Sequence, residues 1–332
     1  MRFILTASLL VLCASVCRNG FGQPVPAGMT KHFEFHSDPW INLHHFLYQW
    51  SREGLPVEDR MRVAVPERTS LTELSSDDRR MWSRAVDFYR DAVAARSHWD
   101  LEMLRLKREL LLLGGDPAAS PPDRIKGISS ALSSAMGVYQ KRWWRQHDSA
   151  NRTWIASVVP RLRTHEARFV ETTRKISDAK WPEERWRVDV SAYANGRAAY
   201  TTSEGHIVIY STDPFIQDLY ALETVLHEVQ HAEAVGGTLA DDLDRAFKSA
   251  GGTPPPNLSH GLIFATAGAF TQTVAEYEGL PPHTPYWIRA GLDQVDGWKE
   301  LIPTVDELWP PVVRGKRSKD ETLAALAGRG QR

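Results

Sequence analysis

His227-Glu228-Val229-Gln230-His231 constrains this chain more than any other stretch. Two histidines at i and i+4 of a helix present their imidazoles on one face, one turn apart, with the glutamate alongside. Five residues therefore encode two donors for a zinc ion and a general base. A helix carrying them must turn one face to a polar cleft and the rest to a core. With 12 histidines among 332 residues the pentad can arise by accident, so its flanks have to support it.

Upstream, Ser211-Thr212-Asp213-Pro214 reads as a helix start, with Asp213 as N-cap and Pro214 at the first helical position. Phe215, Leu219, Leu222, Leu226 and Val229 then recur at spacings of three and four as an apolar stripe, while Tyr220, Thr224, His227 and His231 form another face. Gly236-Gly237 supplies a stop, which predicts a helix of about 20 residues. Before it, Trp186 to Tyr193 alternates like a half-buried strand and Asn195-Gly196 signals a turn. Ala199 to Thr202 and Gly205 to Tyr210 are two further extended stretches around a Ser203-Glu204-Gly205 turn. The expectation is a small antiparallel sheet leading into the metal helix.

Strands followed by an HExxH helix resemble the catalytic core of the zincin metallopeptidases, over roughly residues 186 to 280. The chain also resembles secreted bacterial proteins that carry HExxH. The zincin resemblance implies a Zn2+ cofactor, a peptide or protein substrate, and a last strand before the helix that is an exposed edge pairing with extended substrate. The matching edge here is Gly205 to Tyr210, where His206 could contact substrate but reads more simply as a surface histidine.

A catalytic zinc usually has three protein ligands and one open position. The metzincin pattern HExxHxxGxxH is absent, since Ala234 stands where its glycine belongs. His260 is the first choice for third ligand. Asn257 or Ser259 can cap a helix beginning there, and Ala265, Ala267, Gly268 and Ala269 would let that helix approach the metal helix closely. A gluzincin-like site would instead use a glutamate on a downstream helix, Glu276 or Glu278. On one continuous helix His260 and Glu278 stand about 27 Å apart, so only one of these assignments can hold. Asp241, Asp242 and Asp244 are a third option, read more simply as a solvated acidic turn.

The rest of the chain bounds the setting. Met1-Arg2, apolar Phe3 to Val16 and Gly20-Phe21-Gly22 match a secretory signal over residues 1–22, which implies a periplasmic or extracellular protein. Both cysteines, Cys13 and Cys17, fall inside it and leave the mature chain without a disulfide. A formal charge of -1 gives no reason to expect nucleic acid or an anionic membrane as partner. No second long apolar run predicts a membrane span.

Residues 23–185 read as a helical N-terminal region, with periodicity over His36 to Arg52, Leu71 to Ser97, Leu101 to Leu113, Ile125 to Arg145 and Thr153 to Lys175. Residues 186–280 form the zincin-like core, and 281–332 a helical tail packing on it. The fold class is α+β, predominantly helical. His36, His44 and His45 are read as structural, because adjacent histidines on a helix point about 100° apart and cannot easily chelate one ion. Lys141-Arg142-Trp143-Trp144-Arg145 is read as an amphipathic helix that buries its tryptophans.

The functional expectation is a secreted zinc metallopeptidase. His227, His231 and His260 hold the metal, Glu228 is the general base, and Tyr286 donates to the oxyanion. Another zinc hydrolase, a non-catalytic zinc-containing protein and a helical envelope binding protein are the alternatives.

Overall fold

The sheet begins in the region expected to be mostly helical. In the computed structural model, which describes residues 28–55, 63–96, 101–113, 125–194, 199–202 and 205–330, Phe33–His36 form strand β1. Helix α1 starts only at Pro39 and runs to Ser51, because Asp38 accepts hydrogen bonds from the Trp40 and Ile41 amides and fixes the start. The signal segment 1–22, with Cys13 and Cys17, and the Asn195-Gly196 turn lie outside the described residues.

Helices α2 (Ser76–Ala92), α3 (Leu101–Leu113), α4 (Lys126–Tyr139) and α5 (Arg145–Ser177) follow. A π turn over Gln140–Trp144 joins α4 to α5, so the helix continues through the break expected between residues 145 and 153. Strands β2 (Trp186–Ser191), β3 (Ala199–Thr201) and β4 (Ile207–Tyr210) lead to α6 (Leu219–Glu228). The remaining helices are α7 (Glu233–Gly236), α8 (Leu239–Ser249), α9 (Leu258–Glu278), α10 (Tyr286–Arg289), α11 (Ile302–Leu308), α12 (Pro310–Val313) and α13 (Lys319–Arg329). The chain is thus α+β and predominantly helical, and no described helix is long and apolar enough to cross a membrane.

The expected antiparallel sheet is instead mixed, in the order β1-β2-β4-β3. Strands β1 and β2 pair in parallel (Phe33 with Trp186), as do β2 and β4 (Val188 with Ile207). Only β3 and β4 are antiparallel (Ala199 with Ile209). A parallel β1-β2 pair needs a long crossover, and α1 to α5 supply it. The terminal strand on the side of α6 is β3, so Gly205 to Tyr210 is not the edge. Ile207, Val208 and Ile209 are all fully buried. Burial on both faces is what a continuous apolar run in a central strand produces.

Two main cores result. One joins Val188, Val190, Ile207 and Ile209 to α5, α6, α9 and the C-terminal helices. The other is aromatic and lies among α1, α2 and α4, where Phe46, Trp50, Trp82 and Trp143 interlock. Trp143 is therefore packing, and its indole N–H donates to Ser70 Oγ.

Helix α6, which carries His227 and Glu228, is shorter than the 20 residues expected. Asp213 caps only a 3-10 turn over Pro214–Ile216. Gln217 is extended, and Asp218, at φ 56°, breaks the path before α6 begins at Leu219. After Glu228 the helix tightens into a 3-10 turn over Val229–His231. Gly237 ends α7 at φ 54°, where a Cβ would stand 1.8 Å from the Ser177 carbonyl oxygen. Only glycine lets the chain leave the helix so close to the end of α5.

His206 is turned into the protein. It is buried just before β4, with Nε2 2.6 Å from Asp189 Oδ2, and Arg187 Nε donates to the same oxygen at 2.7 Å. Burial alone would raise the Asp189 carboxyl, but the His206 and Arg187 contacts outweigh it and hold the group below its ordinary value. A depressed carboxyl contributes stability that is complete above the unfolded value, about 4, and is lost as pH falls through the lower folded value. Asp189→Asn should therefore destabilise the protein most at neutral pH, and urea titrations should find its difference from wild type shrinking below about pH 4.

Candidate metal centre

His227 lies on the last turn of α6 and His231 in the 3-10 turn that follows, so tightening the helix end keeps the two imidazoles on one side. His231 Nε2 is 3.1 Å from His227 Nε2. The third imidazole comes from α9, which packs along α6. His260 lies in its first turn, with Nε2 3.2 Å from His227 Nε2. Asn257 precedes α9 in a left-handed conformation and makes no side-chain cap, so the expected capping hydrogen bond is absent while the helix start is where the sequence placed it.

The three donor atoms lie within 4.8 Å of one another. Four donors around a tetrahedral zinc at 2.0–2.1 Å stand about 3.3 Å apart, so the spacing fits one ion. Hydrogen bonding alone leaves the group under-satisfied. His227 Nε2 has a single site for two neighbours, and His227 Nδ1 is buried without a partner. A cation would take all three lone pairs. The charge state agrees: burial first, then the neighbouring imidazoles, pushes His227 well below its ordinary value and His260 down to about 4. Burial lowers His231 as well. The cluster is not sealed, because His227 is buried, His260 half-buried and His231 exposed.

Glu228 is buried beside this group. Thr201, on the terminal strand β3, has its hydroxyl 2.7 Å from Glu228 Oε2 and 2.9 Å from the Glu228 carbonyl oxygen, so its one proton serves either acceptor at a time. Burial pushes the Glu228 carboxyl up to about 7 against the lowering effect of that hydroxyl. One turn earlier on α6, Glu223 is equally buried but fully engaged. It accepts the Tyr286 amide at 2.9 and 3.1 Å, and His283 Nε2 lies 2.6 Å from its Oε2.

Tyr286 is thereby tied to α6 at the start of α10. Its ring lies parallel to Phe264, with centroids 6.2 Å apart. Phe264, one turn beyond His260 on α9, stacks on the His260 ring at 4.8 Å and lies 4.0 Å from the His227 ring.

The competing ligands are elsewhere. Glu276 is exposed and pairs with Arg314, while Glu278 pairs with Arg161 and lies 3.4 Å from His165 at the far end of α9. Asp242 is held by Lys319 and Thr238 on α8, in a helix and not in the acidic turn expected. His44 and His45 are fully buried in α1, bonded to the Tyr89 and Tyr200 hydroxyls, and His36 pairs with Glu34. These histidines are structural.

Thr201, Glu223 and Trp298 are the site residues that sequence reasoning passed over. Glu223 carried a signal, since it sits four residues before His227 on the same helical face. Thr201 and Trp298 carried none, because only tertiary packing brings β3 to Glu228 and Trp298, after α10, to the His260 ring. Comparison with protein families, with curated proteins and with solved structures finds no match.

Metal analysis of protein purified without chelators should find about one zinc per chain, lost in His260→Ala and retained in Glu276→Ala and Glu278→Ala. Retention of the metal by His260→Ala would show that another side chain completes the set.

Proposed function

We propose that this chain is an exported zinc-dependent peptidase with a zincin-like centre, cleaving peptide bonds by attack of water. The observation that carries this reading is the convergence of three imidazole Nε2 atoms beside a buried carboxylate, with an opening at His231. His227, His231 and His260 would hold the ion, and three protein ligands leave a position for water or substrate. Zinc, when bound there, lowers the pKa of water and polarises a carbonyl.

The remaining steps belong to the chain. Thr201 holds Glu228 Oε2, which leaves Oε1 to take the proton of the attacking water and return it to the leaving amine nitrogen. Tyr286, anchored through its amide to Glu223 and stacked on Phe264, is the proposed donor to the developing oxyanion. Its backbone anchor and ring stack restrict where its hydroxyl can go, which is what a preorganised donor requires. Export rests on the secretory pattern of residues 1–22.

Glu228→Gln preserves the shape of the side chain and removes its basicity. It should lower kcat on a mixed peptide library by about 10²- to 10⁴-fold with zinc content unchanged. Undiminished cleavage by this variant would refute Glu228 as the base. A wild-type protein that binds zinc and cleaves nothing would instead support a non-catalytic zinc-containing protein.

A further inference from the structure

One side of the metal centre is aromatic, and its rings come from three separate segments. Phe264 on α9 contacts both His227 and His260. Trp298 stands edge-on to His260 at 5.5 Å and to Phe264 at 5.7 Å. Tyr286 on α10 lies within 4° of parallel to Phe264. Behind them Trp287 is completely buried, whereas Phe264, Tyr286 and Trp298 are each only half-buried.

Orienting two imidazoles needs ring contact on one side. It does not need three half-wet aromatic rings beside the open face of the cluster. Apolar surface left in water is unfavourable, and a concentration of it next to a polar reactive centre is the usual form of a ligand-binding wall. The wall is also fixed in place. Glu223, one turn before His227, binds the Tyr286 amide and His283, so the Pro-rich segment after α9 is keyed to the same helix that carries the metal donors. Gly268, two turns beyond His260, allows this: a Cβ there would stand 3.0 Å from Pro285 Cβ and 3.1 Å from Glu223 Oε1.

We infer that Phe264, Tyr286 and Trp298 receive the side chain flanking the cleaved bond, and that the substrates are peptides with an aromatic or large aliphatic residue at that position. The inference rests on the zinc-peptidase reading above. The occupant is a substrate side chain, and not a separate partner, because the wall is continuous with the imidazoles: Phe264 and Trp298 touch the metal donors themselves. Aromatic rings offer both apolar area and offset stacking to such a group.

The test uses the zinc-loaded protein and two peptidyl hydroxamates identical except for phenylalanine or glycine beside the zinc-binding group, with affinities measured by calorimetry. The phenylalanine compound should bind about tenfold or more tightly than the glycine compound. Trp298→Ala should bring the two within about threefold by weakening the phenylalanine compound, with zinc content checked in parallel. Tyr286→Phe, which keeps the ring and removes the hydroxyl, should retain the preference even where it lowers kcat. Equal affinities in the wild type would overturn the inference while leaving the zinc site standing. Binding of neither compound would overturn the zinc-peptidase reading and this inference with it.

Discussion

The packing of α9 on α6 is the contact on which the rest depends. His227 and His231 come from one helical turn, but a third donor has to arrive from elsewhere in the chain. It arrives because α9 is built from small residues where it meets α6 and the following segment. Ala265, Ala267 and Ala269 are buried, and Gly268 leaves room for Glu223 and Pro285. Close approach of the two helices puts the first turn of α9, with His260, over the last turn of α6. A bound ion would tie the two helices and add its binding free energy to that of folding.

Two buried carboxylates on α6 show how neighbouring groups set different roles. Glu223 and Glu228 are both withdrawn from water, and burial raises both. Glu223 recovers the cost through His283 and a backbone amide, so it serves as a clamp. Its charge also helps raise Asp306 on α11, to about 6, although burial is the larger cause. Glu228 has the Thr201 hydroxyl on one oxygen, and the proposed general-base role falls to the other. Their spacing of five residues sends them to different surroundings: Glu223 faces the Pro-rich segment, Glu228 the terminal strand.

What could be read from the sequence was whatever is encoded within a turn or two of chain. The pentad set two donors and a carboxylate by helical spacing alone. His260 followed from a helix start and a run of small residues, and His44 and His45 were assigned to structure because adjacent positions diverge. Strand order was not legible. Ile207-Val208-Ile209 reads as extended in any sheet, and only its unbroken apolar character, set against the alternation around it, marks a central strand. The short β1 was hidden by the helix that begins three residues later. The limits of α6 were not legible because Asp213-Pro214 is a sound helix start that here caps a single turn, and the positive-φ Asp218 that interrupts the path has no sequence signature. The aromatic wall was out of reach for a similar reason: Tyr286 and Trp298 meet Phe264 only after the chain folds back across α6.

The central claim is that His227, His231 and His260 close around one divalent ion and leave a corner open. X-ray absorption at the zinc edge of the purified protein tests it most directly. The account predicts a four-coordinate first shell at about 2.0 Å with scattering from three imidazoles and one lighter oxygen donor. A shell dominated by oxygen, with no more than one imidazole, would contradict it.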